Sequence, residues 1–152
     1  MREYTHDLKR IDALLSDYGS SHQTRGNLLC HSVGITLIVF GILSMLHAVP
    51  LTGSWTLSEA LLAMAFVFYL ALDPLLAVAV LAAAALLDLA ARAIGNWRVG
   101  AAAFVVGWIF QGIGHAVYEK SSPAFLRNLV HLLVGPAYLV NEALGIRPRP
   151  TR

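Results

Sequence analysis

Positions 75–91 read LLAVAVLAAAALLDLAA, a run in which Asp88 is the only charged residue. The apolar character extends upstream, because no Lys or Arg occurs between Gly26 and Ala91. Of the 152 residues, 57% are hydrophobic and 13% are charged, which leaves little to form a polar surface. The sequence therefore predicts an all-α protein, a polytopic membrane helical bundle. The alternative is a soluble bundle whose helices are fully buried.

Four apolar segments are candidate transmembrane helices. Pro50 and the turn at Gly53 and Ser54 follow the first, and the pair Asp73 and Pro74 separates the second from the third. Several candidates are shorter than the roughly 20 residues that cross a standard hydrocarbon core. The four candidates are 32–49, 57–72, 75–91 and 99–117.

The positions of the cations predict the orientation in the membrane. With four crossings and a cytoplasmic N-terminus, only Arg92 and Arg98 of the eleven Lys and Arg residues face away from the cytoplasm. Cytoplasmic loops of membrane proteins carry an excess of Lys and Arg. We therefore expect both termini on the cytoplasmic side.

The N-terminal arm, 1–31, is predicted to contain an amphipathic helix at 5–18. Leu8, Ile11 and Leu15 recur there at helical spacing and give the helix one apolar face. We expect one membrane-embedded domain, 1–152, in which the arm is followed by the four spans, the C-terminal segment and a basic tail. Their predicted bounds are 1–31, 32–117, 118–146 and 147–152.

The segment 118–146 is predicted to form an interfacial or re-entrant helical hairpin. Pro123 suits the first position of a helix, and Pro136 is expected to kink or end that helix. A second short helix would then run from Ala137 to Gly145. A fifth full crossing is the alternative, but it would move the Arg-rich tail to the other side of the membrane.

Polar side chains gather at the predicted cytoplasmic end of the fourth span. Gln111, His115 and Glu119 are spaced four residues apart and share one stripe of a helix. Glu119 is a candidate metal ligand, general base or hydrogen-bonding partner of a ligand. It is equally able to pair with Lys120 or Arg127.

A second group of polar residues precedes the first span. Asn27 and His31 are again four residues apart, and His22 lies before them. A chain break around Gly26 is required if both histidines are to point at one site. Several imidazoles and a carboxylate at one membrane depth suit a divalent transition metal such as iron, zinc or manganese. The amide side chains of Asn27 and Gln111 are suited to orient the metal ligands through hydrogen bonds.

These residues resemble a known family, the small membrane proteins first assigned in yeast as 2-hydroxy fatty acid dioxygenases. The resemblance covers about 5–145, and its most specific part is 108–124. The residues that carry it are Tyr18, His22, Asn27, His31, Gly34, Trp108, Gln111, Gly114, His115, Glu119, Lys120, Pro123, Ala124, Gly135, Pro136 and Glu142.

The resemblance implies an enzyme that uses non-heme iron(II) and O2 to shorten a long-chain 2-hydroxy fatty acid by one carbon. His22, His31 and His115 match the histidines taken to hold the iron, and His131 is a further candidate ligand. A bacterial member would lie in the cell membrane and a eukaryotic one in the endoplasmic reticulum. The site would face the cytoplasm.

The substrate carboxylate would need a cation, and the candidates are Arg25, Lys120 and Arg127. We expect the fatty acid and membrane lipid as partners and no nucleic acid, while the oligomeric state stays open. Two other functions also stay open. One is a metal-dependent membrane lipid hydrolase with Glu119 as general base. The other is a non-enzymatic transporter or assembly factor.

Overall fold

The structure is a computed structural model that describes residues 2–120 and 130–147, with side chains described from Arg10 onward. It confirms an all-α helical bundle, to which one short β-hairpin is added. In chain order the elements are α1 Arg2–Ser20, α2 Arg25–His47, β1 Pro50–Thr52, β2 Trp55–Thr56, α3 Leu57–Leu70, α4 Pro74–Ile94, α5 Trp97–Ile113, a π-helical turn Gly114–Glu119 and α6 His131–Leu144.

Within the described residues, three helical stretches are long and apolar enough to cross a membrane. They are α2, α4 and the combined α5 and π-helical turn, with 23, 21 and 23 residues and mean hydropathies of 2.1, 2.2 and 1.4. The remaining predicted span corresponds to α3, which has 14 residues and is about 21 Å long at 1.5 Å per residue. The membrane character of the chain is thus supported, whereas the prediction of four crossings stays a prediction.

The α2 and α5 helices pack backbone to backbone through glycines spaced seven residues apart. A Cβ added to Gly107 would lie 2.7 Å from the carbonyl oxygen of Gly34, and a Cβ added to Gly41 would lie 2.6 Å from that of Gly100. Small residues allow this close approach of helices in lipid. The antiparallel pairing brings the start of α2 beside the end of α5.

The amphipathic helix predicted at 5–18 is present as α1. Its residues Ile11, Leu15 and Tyr18 are buried against α6, where Val134 and Ala137 are buried in the same core cluster. The opposite face of α1 carries exposed polar residues. The arm is therefore packed onto the bundle by the apolar face that the sequence predicted.

The break that reverses the chain between α1 and α2 lies at residues 21–24 and not at Gly26. Thr24 caps α2 by accepting a hydrogen bond from the backbone N–H of Asn27. Gly26 lies inside α2, where the ring of Tyr118 occupies the space that a Cβ would need. The predicted break is therefore present close to Gly26, but residues 21–24 form it, and the glycine serves close packing inside α2.

Pro136 does not end the C-terminal helix, so the predicted second helix from Ala137 does not form a separate element. The α6 helix runs through Pro136 from its start to Leu144. Proline cannot donate to the carbonyl four residues earlier, and its ring strains the turn before it. The hydroxyl of Tyr69 donates a 2.5 Å hydrogen bond to the carbonyl oxygen of Leu133 in that turn. The carbonyl that Pro136 itself leaves without a backbone donor is that of Leu132, directly before Leu133. The buried side chains of Val134 and Tyr138 pack the helix into the core on both sides of the proline. The first arm of the predicted hairpin lies mostly outside the described residues.

Ion pairs define two ends of the bundle. At one end Arg147 pairs with Asp12 on α1 at 2.7 Å and with Asp73, before α4, at 3.4 Å. At the other end Arg92 pairs with Asp88 at 2.6 Å and also with Glu59. The turn between α3 and α4 therefore lies at the same end as α1.

Candidate metal centre

Three buried histidines from three separate segments meet at the α1 end of the bundle. His22 follows α1, His31 lies in α2 and His115 lies in the π-helical turn. Each side chain is 3% exposed, and one ring nitrogen of each lies within 4.8 Å of the others. The structure thus brings together these three predicted site residues. We call them the histidine triad.

The ring of His22 is held by its own segment. Its Nδ1–H donates a 2.6 Å hydrogen bond to the backbone carbonyl of Tyr18, and its ring stacks on the Tyr18 ring with centroids 4.1 Å apart. This bond fixes the tautomer and leaves the Nε2 lone pair for another partner. Burial lowers the pKa of His22 to about 4, although the carbonyl partner opposes that shift. The ring is therefore neutral near pH 7, the form that binds metals.

The triad fits a metal ion because its inward nitrogens lack other partners. Among the described residues, His22 Nε2, His31 Nε2 and His115 Nδ1 are buried and have no hydrogen-bond partner. Leaving three polar atoms buried and unpaired is unfavourable. A divalent transition metal would satisfy all three, and three protein ligands leave coordination positions open for a substrate.

Glu119 contacts the segment between His22 and the first residue of α2. Its Oε1 accepts hydrogen bonds from the backbone N–H groups of Gln23 at 2.6 Å and Thr24 at 2.8 Å, and from the Thr24 hydroxyl at 3.2 Å. It does not belong to the group of ligand atoms around the triad. The structure therefore shows this carboxylate holding the turn that precedes α2, and its catalytic role stays a prediction.

The two predicted amide residues are buried near the triad. Asn27 is fully buried, and its side chain fills the space that a Cβ of Gly114 would need. Gln111 is 7% exposed and lines the cavity that contains the triad. Both are therefore placed where an amide can position an imidazole or a bound molecule.

His131 lies near the triad but outside it. Its Nε2 is 2.8 Å from the Asp17 carboxylate, and its ring centroid is 5.8 Å from that of Tyr18. The sequence did not point to Asp17, because the two residues are 114 positions apart and neither lies in a local motif. The metal-ligand role predicted for His131 has no support from this placement and stays untested.

The cations predicted for the substrate carboxylate are not found in the cavity. Arg25 and Lys120 are exposed and do not line it, and Arg127 lies outside the described residues. Within the described part of the chain, the cavity lining contains neither Lys nor Arg. A carboxylate bound there would need another source of positive charge.

A cavity of about 310 Å³ extends from the triad along α2, α5 and α6. One end is polar and contains the triad, Tyr18, Gln111 and His131. The remainder is apolar and is lined by Ile35, Ile38, Val39, Ile42, Phe104, Trp108, Leu132, Gly135 and Pro136.

The apolar lining was not predicted, although a sequence signal for it exists. His31, Ile35, Ile38 and Ile42 follow one another at spacings of four, three and four, which places them on one helix face. Phe104, Trp108, Gln111 and His115 repeat the same spacing on α5. Each span thus carries an apolar stripe that ends in a histidine.

Comparisons with known proteins agree with the motifs. The family described as 2-hydroxy-palmitic acid dioxygenase Mpo1-like matches residues 8–146. The 2-hydroxy-palmitic acid dioxygenase MPO1 of Saccharomyces cerevisiae is 35% identical over 144 aligned residues, which cover 89% of this chain and 82% of the relative. No solved structure matches the chain. The match over most of the chain confirms the resemblance inferred from the motifs, and the protein belongs to the Mpo1-like family of 2-hydroxy fatty acid dioxygenases.

Proposed function

We propose that this protein is an iron(II)-dependent dioxygenase that shortens long-chain 2-hydroxy fatty acids by one carbon. The observation that carries the proposal is the histidine triad, whose unpaired nitrogens lie at the polar end of an apolar cavity. The name of the yeast relative, a 2-hydroxy-palmitic acid dioxygenase, supports the substrate class. When bound, the iron would supply positive charge and the redox chemistry that O2 requires.

The shape of the cavity supports binding of a fatty acid with its head at the triad. Neither Lys nor Arg occurs in the described lining, so a metal ion held by the triad would be the countercharge for the buried carboxylate. The apolar side chains from Ile35 to Ile42 would contact the acyl chain. Along α2, His31 and Ile42 are about 16 Å apart at 1.5 Å per residue, which suits an extended chain.

The proposed reaction balances without an added reductant. A 2-hydroxy acid and O2 give the fatty acid that is one carbon shorter, carbon dioxide and water. The bond between the carboxyl carbon and C2 breaks, and C2 is oxidised to the new carboxyl group. The substrate supplies all four electrons that reduce O2, so no second organic cofactor is needed.

The chain's own residues would position the reactants and exclude water. The carbonyl of Tyr18 holds His22 in the tautomer that leaves its Nε2 lone pair directed to the triad. Gln111 places a buried amide in the lining beside the triad, where it can hydrogen-bond a carboxylate oxygen. The buried tyrosine ring and the apolar lining keep the site dry, which limits side reactions of reduced oxygen.

We further propose that α3 completes a fourth crossing and that the triad faces the cytoplasm. The ion pair between Arg147 and Asp73 supports this arrangement, because it joins the C-terminal segment to the turn between α3 and α4. The excess of Lys and Arg at this end supports the cytoplasmic side. The membrane would be the cell membrane in a bacterium and the endoplasmic reticulum in a eukaryote.

The test is metal content and turnover of His31→Ala and His115→Ala variants. Both variants are expected to insert into the membrane, to lose stoichiometric iron and to lose oxygen uptake with 2-hydroxypalmitate. His47→Ala is the matched control, because His47 lies at the opposite end of α2. Iron content and turnover at the wild-type level in the His31 and His115 variants would contradict the ligand assignment.

The reaction class is tested by chelation and product analysis. Chelation should stop turnover, ferrous ion should restore it, and the product should be one carbon shorter than the substrate. Restoration by zinc alone, with simple cleavage of an ester or amide by water, would indicate a hydrolase instead.

A further inference from the structure

A histidine outside the triad also faces the cavity with an unpaired nitrogen. His131 is 6% exposed, lines the cavity, and has a buried Nδ1 with no partner among the described residues. Its other nitrogen, Nε2, is 2.8 Å from an oxygen of Asp17, whose side chain is 62% exposed. The ring thus lies between the protein surface and the cavity, bonded on one side only.

The contact with Asp17 determines whether Nδ1 of His131 donates or accepts a hydrogen bond. A carboxylate only accepts hydrogen bonds, so Nε2 of the neutral ring carries the hydrogen and Nδ1 carries the lone pair. Asp17 therefore fixes His131 as a hydrogen-bond acceptor inside the cavity. An acceptor of this kind needs an O–H or N–H group from a bound molecule.

Two other kinds of polar group at this end of the cavity are engaged or assigned, and a third, the unpaired Nε2 amide group of Gln111, donates hydrogen bonds and does not accept them. The inward nitrogens of the triad are assigned to the metal, and the hydroxyl of Tyr18 lies 3.4 Å from His31 Nδ1. The 2-hydroxyl of the proposed substrate, in contrast, is a donor that must find an acceptor once it is buried. Among the described residues that line the cavity, His131 has a buried Nδ1 without a partner, and this nitrogen can accept that hydrogen bond.

We propose that His131, oriented by Asp17, accepts a hydrogen bond from the 2-hydroxyl group and makes the site selective for 2-hydroxy acids over unsubstituted fatty acids. This inference rests on the proposed function for its substrate class. An unsubstituted acid would leave Nδ1 unpaired in a dry cavity, and such a site rejects ligands that lack the hydroxyl.

The experiment measures binding of 2-hydroxypalmitate and of palmitate to the full-length, iron-loaded protein without oxygen. Wild-type protein is expected to prefer the hydroxy acid by about tenfold, the value of one buried hydrogen bond. His131→Gln retains a donor for Asp17 but has no acceptor at the Nδ1 position, so the preference should fall to about twofold. His131→Asn places an amide oxygen near the Nδ1 position and should keep most of the preference.

A second pair of variants tests the orienting role at the surface, where substitution leaves the core intact. Asp17→Asn keeps an oxygen acceptor for Nε2–H and should preserve the preference. Asp17→Ala frees the ring to exchange tautomers and should reduce the preference severalfold. Bound iron should stay unchanged in all four variants, and palmitate affinity should not fall in any of them, because palmitate makes no hydrogen bond to Nδ1.

Two results would overturn this inference, and a third would contradict the proposed function on which it rests. A wild-type preference in His131→Gln would show that His131 does not bind the hydroxyl. Loss of iron from this variant would show that His131 is a metal ligand. Failure of wild-type protein to bind iron or to prefer the hydroxy acid would instead contradict the proposed function itself.

Discussion

Glu119 lies four residues after His115 in the chain. Its carboxylate accepts hydrogen bonds from the backbone N–H groups of Gln23 and Thr24, the two residues that directly follow His22. These two hydrogen bonds are 2.6 and 2.8 Å long and share a charged acceptor, which places them in the stronger class of hydrogen bond. The residue therefore fixes the distance between two segments of the triad. We infer that its main contribution is to hold these segments in place.

We predict that Glu119→Ala lowers the free energy of unfolding by about 1 to 2 kcal/mol, because the backbone N–H groups of Gln23 and Thr24, directly before α2, lose a charged acceptor. Glu119→Gln keeps an acceptor oxygen and should lose about half as much. Thermal unfolding in detergent, followed by circular dichroism, measures both effects. Loss of iron in Glu119→Gln at wild-type stability would indicate that the carboxylate is itself a ligand.

At the residue scale, the sequence predicted that the three histidines of the triad meet, but it did not predict every contact of the site residues. The spacing of His31 from Asn27 and of His115 from Gln111 placed polar stripes at helix ends, and the structure brings both histidines together with His22. The contact of Asp17 with His131 joins residues 114 positions apart. Local periodicity contains no information on which helices become neighbours, so such pairs require the tertiary structure.

At the scale of elements, the α2–α5 interface depends on the absence of side chains. Gly107 and Gly34 place their backbones in contact, three residues after His31 in the chain and eight residues before His115. Any separation of the two helices would therefore move the two histidines apart. The α2–α5 interface therefore contributes to the distance between His31 and His115.

We predict that Gly107→Ala destabilises the protein by about 1 to 3 kcal/mol, because the new Cβ would lie 2.7 Å from the carbonyl oxygen of Gly34. Gly112→Ala is the matched control on the same helix, where a Cβ meets nothing within 4 Å. The control should be neutral or slightly stabilising, since alanine favours helix. Melting temperatures and iron content of both variants test the prediction. Equal stability of the two variants would contradict close packing at Gly107.

The apolar stripe of α2 supports a prediction about chain length. Ile42 is the lining residue of α2 farthest from His31, so Ile42→Trp should fill the far end of the cavity. We expect kcat/KM for long-chain 2-hydroxy acids to fall by about tenfold, with medium-chain acids unaffected. Leu29→Trp, on an exposed face of α2, is the control. A uniform loss over all chain lengths would indicate a general defect and not a shortened cavity.

The elements themselves were predicted well where hydrophobicity and period decide them. The α1 helix and the four apolar helices follow from these patterns, whereas the break before α2 and the course of α6 do not. Gly26 and Pro136 are usual markers of chain breaks, yet both lie inside helices. Packing of Tyr118 on the glycine, and the burial of Val134 and Tyr138 on either side of the proline, override the local preferences.

At the scale of the whole molecule, charged side chains are concentrated at the two ends of the helices. Asp12, Asp73 and Arg147 meet at the triad end, and Glu59 and Arg92 meet at the other. The exposed surface between the ends includes large apolar side chains on several helices, as expected for contact with lipid. This distribution supports an orientation in which the helices cross the membrane and the two charged ends lie at its opposite faces.

We predict that cysteines introduced at opposite ends differ in access to a membrane-impermeant maleimide. In a Cys30→Ala background, Ser54→Cys in the β-hairpin should react in intact cells or sealed vesicles of known orientation. Ser20→Cys, at the end of α1, should react only after permeabilisation. The opposite pattern would place the triad on the non-cytoplasmic face, and equal reactivity would contradict the four crossings.

The hydrogen bonds from Glu119 to the chain after His22 also bear on the maturation of the protein in the cell. These bonds hold the ligand-bearing segments next to each other by means of protein atoms alone. Newly inserted polypeptide would then acquire its binding geometry before any ion arrives. The rate at which active enzyme forms would then depend on the supply of the ion and not on refolding. Cells short of that ion would accumulate intact, inactive protein that recovers on resupply without new synthesis.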